Sequence, residues 1–396
     1  MMRSAFRRLP AVIVAVVFTL GAAAQPRYSD SGPEPMLART FDLIEHDKLD
    51  AALQQTEAMI RAYPTFHLAY LIKGDLLLAR TKPLTAFGQG GMREARAKVA
   101  DLRDEAIARL HAYHRKPPTD YVPRYLIQMQ PNQKYAIVVD TQKSRLYLYR
   151  NDHGTPRFVA DYYVSQGKLG ANKTREGDQK TPIGIYHVTA HLPANKLSAF
   201  YGIGAFPISY PNEWDRRMGR NGHGIWLHGT PPNTFSRPPK ASEGCVVLAN
   251  EDLHALAGDL QVGLTPVIIS NSIEWLSLDD WQAERKALLN MLDEWRRDWE
   301  SLDIDRYASH YSRKFESDHL GYKGWIDHKR VVNAGKTWIK VSTDNISMFR
   351  NPGHEDYVVT TFEQHYQSNN LSDVMTKELY WIKEDGRWKI IHEGPG

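Results

Sequence analysis

Cys245 is the only cysteine among 396 residues. It ends the run Ser242-Glu243-Gly244-Cys245, seventeen residues after the pair His228-Gly229. A single thiol closes no internal disulfide, so it is either a small buried hydrophobe or a group with chemistry to do. Nucleophilic attack requires the thiolate, and an ordinary thiol, with a pKa of about 8.5, is mostly protonated at neutral pH. His228 is the candidate base: it follows the apolar run "GIWL" and precedes Gly229, which lets backbone come close. Gly244 lets the chain turn sharply and aim the thiol and neighbouring N–H groups at a developing oxyanion. These residue types in this order fit acyl transfer through a thioester.

Other polar residues have weaker claims. Tyr210 in "SYPNEWD", Arg220 and Trp226 lie just ahead of His228 and are candidates for binding substrate, with Arg216 and Arg217 beside them. The arginines could engage carboxylates or simply solvate a loop. His223 and His228 are five apart, which on a strand points them to opposite faces. His111 and His114 are three apart with no third ligand nearby, so no metal site is expected. The chemistry requires no cofactor.

The elements that must position these residues fall into three regions. Residues 25–130 read as helical, with apolar residues three and four apart and Pro64 at a turn. Within it "DKLDAALQQTEAMIRAYPTFHLAYLIKGDLLLAR" resembles one tetratricopeptide-type helix pair, and a plain helical hairpin fits equally. Residues 131–272 read as mostly β, with strand signals at 135–140, 146–149, 158–164, 183–190 and 267–269. The proline-rich "TPPNTFSRPPKA" between His228 and Cys245 reads as a surface loop or a wall over the site. Residues 273–396 begin with a helical pattern at 275–299, then alternate in strand fashion to "GRWKIIHEG". The expected fold class is a multi-domain α+β chain: helical, then β-rich, then a small α+β domain.

Ahead of these regions, Arg3, Arg7 and Arg8, the apolar stretch 9–21 and Ala22-Ala23-Ala24 have the form of an export signal over 1–24. Cleavage near Gln25 would release the chain into a periplasm with no stable membrane insertion, an uncleaved anchor being the rival reading. The formal charge is +4 for the whole chain and +1 without those three arginines. No dense basic patch interleaved with aromatics remains, which argues against nucleic acid as a partner. The modular layout is compatible with a homodimer, although no periodic apolar seam marks one.

The strings "IWLHGT…SEGCVVLAN" and "KTPIGIYHV" resemble the motifs of the YkuD-type L,D-transpeptidases, over about residues 134–270. The resemblance implies Cys245 as nucleophile, His228 as base, and Gly229 orienting the histidine through its carbonyl. It also implies Ser242 and Gly244 shaping the oxyanion site. The implied substrate is a peptidoglycan stem tetrapeptide, cut between meso-diaminopimelate and its terminal D-alanine. Two positions depart from the family run: Glu243 replaces a histidine and Val247 an arginine. The first places negative charge near the thiol, and the second removes a fork that could hold a carboxylate. The C-terminal region resembles the nuclear-transport-factor-2-like cone fold. That pairing is similar to the branch containing L,D-carboxypeptidases, in which water resolves the thioester. Transpeptidation is the first expectation and carboxypeptidation the second. A wall-binding scaffold with a vestigial cysteine domain, and hydrolysis of a link between wall and protein, are further alternatives.

Overall fold

The computed structural model describes residues 32–83, 86–89, 95–118, 120–317 and 320–396. The expected export signal, 1–24, lies outside the described residues. Among them no helix is long and apolar enough to cross a membrane.

The helical region comprises Glu34–Glu45, Leu49–Ala62, His67–Ala79 and Arg96–His114. Leu37, Ala52, Met59, Leu68, Ala69, Ile72 and Leu76 form its buried core, with Ala52 and Ala69 small enough for close helix approach. The expected helix pair turns at Pro64. The helix Arg96–His114 packs across both Glu34–Glu45 and His67–Ala79, closing the group instead of extending a stack.

The middle region is built on a five-stranded sheet in the order Thr155–Tyr163, Arg145–Asp152, Tyr135–Asp140, Pro266–Ser270, Gly184–His187. Pro266–Ser270 runs parallel to Tyr135–Asp140, while the other neighbours are antiparallel. A second sheet orders Val246–Val247, Trp226–His228, Gly204–Pro207 and Leu192–Pro193. Ile137, Val139, Leu146, Leu148, Phe206, Leu227, Val246 and Val267 bury one core between the sheets. The strand signal at 183–190 yields only the four residues Gly184–His187.

The C-terminal region opens with the helix Leu278–Glu300, capped by Ser277, whose hydroxyl accepts from the Asp280 N–H. Asp279 and Asp280 favour that terminus electrostatically. The helix therefore starts three residues later than the pattern suggested, because Trp275–Ser277 is a strand paired with Tyr121–Pro123. Trp281, Leu288, Leu292, Trp295 and Trp299 recur on one buried face. That face packs on strands Ile339–Arg350, Tyr357–Ser368, Ser372–Glu384 and Arg387–Pro395. Leu126–Gln128, which composition assigns to the helical region, is the fifth strand of this sheet through Ile339–Arg350. Tyr307, Tyr311 and Phe362 belong to this core, whereas Trp338 is exposed. The sheet partly encloses a cavity of about 510 Å³ lined by Trp299, Trp325, Lys329, Tyr366, Lys377 and Glu393. Burial pulls the Lys329 ammonium down to about 8, opposed by Glu393.

Two buried contacts fasten the regions together. Arg109 bonds Glu34 at 2.6 Å and Glu105 at 2.9 Å, and Glu34 also meets Arg145 of the central sheet at 3.2 Å. On the other side Trp214 stacks on Tyr357, with ring centroids 4.2 Å apart.

Candidate active site

The strand Trp226–His228 lies parallel to Val246–Val247, with Leu227 opposite Val246 and His228 opposite Val247. Alternation along each strand then places Trp226 and His228 on the same face as Val247. Cys245, immediately before the second strand, is thus brought beside the strand that carries His228, seventeen residues away in sequence.

His228 is 1% exposed. Its Nδ1 lies 2.7 Å from the Gly229 carbonyl oxygen. A carbonyl only accepts, so Nδ1 carries the proton and Nε2 is the basic nitrogen of the neutral ring. Burial pulls the imidazole down to about 4, with Arg237 reinforcing the shift and the Gly229 carbonyl opposing it. Gly229 has a steric reason to be glycine: a Cβ there would sit 2.2 Å from Asn250 Oδ1. Asn250 Oδ1 accepts from the N–H groups of Thr230 and Ile203, and its Nδ2 donates to the Thr230 carbonyl. It thereby fixes the turn that follows His228.

Cys245 is partly exposed, and its thiol donates to the Gly224 carbonyl at 3.4 Å. Burial pushes the thiol above its ordinary range. The Trp226 backbone N–H, Arg237 and Lys173 pull it down, while Glu243 adds to the rise. At neutral pH the site therefore rests as a neutral thiol beside a neutral imidazole. The turn before the cysteine is held tightly. Gly244 has φ +127°, and a Cβ would meet the Lys180 carbonyl oxygen at 2.8 Å. Its N–H donates to Ser242 Oγ at 3.1 Å, and that hydroxyl donates to the Cys245 carbonyl at 2.6 Å. Thr181, from "KTPIG", donates its hydroxyl to the Gly244 carbonyl at 2.9 Å.

Trp226 is half-buried and faces Tyr201, with centroids 4.9 Å apart; Tyr201 in turn lies edge-on to His228 at 5.0 Å. Phe200 stands 6.0 Å from the same imidazole. Tyr210 and Arg220 are elsewhere. Tyr210 is buried and donates its hydroxyl to the Asn221 carbonyl, so it faces the core instead of a ligand. Arg220 is held by Asp215 at 3.1 Å and by Glu355 of the C-terminal region at 2.9 Å. Its guanidinium thus pairs with two carboxylates of the chain itself. Arg217 reaches the Glu316 carbonyl and His392, and Arg216 pairs with Glu213. His223 is exposed, 3.8 Å from Glu176.

Sequence reasoning passed over Phe200, Tyr201, Arg237 and Asn250. Asn250 ends the very string that carries the cysteine, and Arg237 lies within the proline-rich loop. Phe200 and Tyr201 sit in the single 3-10 turn Ala199–Tyr201, too short to leave a periodic signal. That loop is anchored on the helical region: Phe235 packs on Phe66 and Tyr63, and Ser236 donates to Glu105 at 2.6 Å.

Comparison with known proteins agrees with this layout. Residues 134–269 match the family model for the YkuD L,D-transpeptidase catalytic domain, and 287–394 match that for the Cds6 C-terminal NTF2-like domain. No curated protein matches the chain. Among solved structures, Bd1075 of Bdellovibrio bacteriovorus is similar with a TM-score of 0.63 and 29% identity, over 70% of this chain and 98% of that one. The helical cell shape determining protein Pgp2 of Campylobacter jejuni is similar with a TM-score of 0.58 and 25% identity, over 68% of this chain and 95% of that one. The chain thus carries a YkuD-type L,D-transpeptidase catalytic domain joined to an NTF2-like domain.

Proposed function

We propose that the protein is an exported, periplasmic cysteine acyltransferase, an L,D-transpeptidase acting on peptidoglycan stem tetrapeptides. The observation that carries this reading is the parallel register that brings Cys245 beside the strand of His228, with the imidazole proton held at Nδ1. Cys245 is the nucleophile, His228 the base and Gly229 the carbonyl that orients it. Since both groups rest neutral, the thiol proton passes to His228 Nε2 as Sγ attacks the diaminopimelate carbonyl carbon. Gly244 N–H is committed to Ser242, which assigns the oxyanion to the Cys245 N–H. Collapse breaks the C–N bond, and the proton on Nε2 goes to the departing D-alanine amine. A thioester remains. An amine of a second stem then attacks it, its proton returning through His228 to the sulfur. Trp226, with Tyr201 and Phe200, walls the approach for substrate.

Hydrolysis by water is the second reading, favoured by the pairing of a YkuD-type catalytic domain with an NTF2-like domain, which resembles the L,D-carboxypeptidase branch. Purified enzyme incubated with disaccharide tetrapeptide separates them. A mass increase confined to Cys245 with loss of D-alanine supports the common chemistry. Cross-linked dimer supports transfer, and tripeptide alone supports hydrolysis. Cys245→Ala is expected to lose at least about a thousandfold in rate while staying folded. Wild-type enzyme that forms no thioester with any stem peptide overturns the proposal.

A further inference from the structure

Arg237 is the charged residue of the site that no internal carboxylate claims. It is half-buried, and among the described residues it forms no ion pair with Asp or Glu. Its guanidinium lies 4.3 Å from the centre of the Phe200 ring, and Nη2 reaches the Phe200 carbonyl at a long 3.4 Å. Phe200 in turn stands 6.0 Å from the His228 ring and is 51% exposed. Stacking on an aromatic face holds the planar fork and leaves most of its N–H donors for a partner. The guanidinium also acts electrostatically on both the thiol and the imidazole.

The backbone around Arg237 is held on both sides. Phe235 is buried against the helical region, Ser236 bonds Glu105, Tyr163 donates to the Arg237 carbonyl at 2.9 Å, and the Gln166 N–H donates to the Pro239 carbonyl at 2.8 Å. Partly desolvating a cation without a partner is unfavourable, and a carboxylate brought by a ligand would offset that cost. Val247 offers no charge two positions after the cysteine, Arg216 pairs locally with Glu213, and Arg217 and Arg220 are occupied at the C-terminal seam.

We propose that Arg237, stacked on Phe200, is the subsite that binds a carboxylate of the donor peptide beside Cys245, and that the helical N-terminal region is the platform holding it there. This rests on the acyl-transfer reading above. A stem tetrapeptide offers two carboxylates near the scissile bond, that of the terminal D-alanine and that on the diaminopimelate side chain. Both present the same planar anion to the fork.

The test measures the rate of acyl-enzyme formation at Cys245 with three donors: free tetrapeptide, tetrapeptide amidated at the D-alanine carboxyl, and tetrapeptide amidated at the diaminopimelate side chain. Wild-type enzyme is expected to favour the free acid by at least about tenfold over one amidated donor, which identifies the carboxylate bound. Arg237→Gln is expected to slow the free acid by about that factor and to abolish the preference, with Arg237→Lys between the two. The preference compares two donors on one sample, so partial unfolding of a variant leaves it unchanged. Wild-type enzyme that acylates all three equally, or Arg237→Gln that keeps the preference, overturns this inference while leaving the thioester chemistry standing. Absence of acylation with every donor overturns both.

Discussion

The candidate active site and the seam with the C-terminal domain both carry arginines within one short stretch of chain, yet they use them in opposite ways. At the seam, Arg220 bridges Asp215 and Glu355, and Trp214 stacks on Tyr357, so charge and ring are both satisfied internally. In the cleft, Arg237 lies on a half-exposed ring, the thiol is only partly covered, and Glu243 is 77% exposed. Groups already paired hold the fold together, whereas groups left unpaired can meet a ligand. Substitutions at the seam should therefore cost stability, and substitutions in the cleft should cost rate.

The largest stability effect is expected at the seam, from Arg220→Met. Asp215 is 2% exposed, and burial already holds its carboxyl above the usual range despite the guanidinium. Removing Arg220 strands that charge, at a cost of about 3–5 kcal/mol near pH 8. The folded state of the variant binds a proton more readily than the unfolded chain, so the loss shrinks as pH falls. Urea unfolding at two pH values measures this, and Asp215→Asn added to Arg220→Met should recover part of the stability. A loss below about 1 kcal/mol would place the bridge among inert surface pairs. A large fall in acylation rate for the folded variant would return Arg220 to the binding site.

The cleft makes its own pH prediction. In the proposed reaction His228 acts as a neutral base, and burial holds it at about 4, so acylation should stay active down to about pH 5 and fall only as pH drops through 4. An ordinary histidine would place that limb near about 6.5. Because Arg237 contributes to the depression, Arg237→Gln should move the limb upward. The same shift has a stability counterpart. The unfolded chain takes up a proton at His228 below about pH 6.5 while the folded one does not until about 4, so stability falls across that window. A pH–rate profile with its acid limb near the ordinary value would show that the imidazole is wetter than its 1% exposure implies.

How much of this was legible in the sequence follows from where each partner lies. Cys245, Gly244 and His228 stand in short local strings whose chemistry can be read without the fold. Strands such as Tyr135–Asp140 and Tyr357–Ser368 announce themselves through β-branched and aromatic runs long enough to show a period. The bridge made by Arg220 is invisible in the sequence because Glu355, the residue that completes it, comes from another domain. Nothing local shows that the Tyr210 hydroxyl turns inward to Asn221. Leu126–Gln128 is three residues long and is defined by a strand far along the chain, so no window around it carries the signal. Arg237 escaped for the same reason: Phe200, the ring that makes it a site, is brought to it only by the fold.

The smallest effect is expected at the rim of the cleft. Lys168 and Glu243 approach to 3.7 Å with both side chains open to water, so breaking the pair should change stability by less than about 1 kcal/mol. Glu243 nonetheless raises the thiol of Cys245, so Glu243→Gln should favour the thiolate. Alkylation of Cys245 by iodoacetamide at neutral pH then quickens by about twofold, a modest gain because water screens the exposed carboxylate. At about 1 M salt, where the Debye length is about 3 Å, the difference between variant and wild type should vanish. If the gain instead persisted in salt, Glu243 would act by direct contact with the sulfur, and the cleft would hold a paired charge much as the seam does.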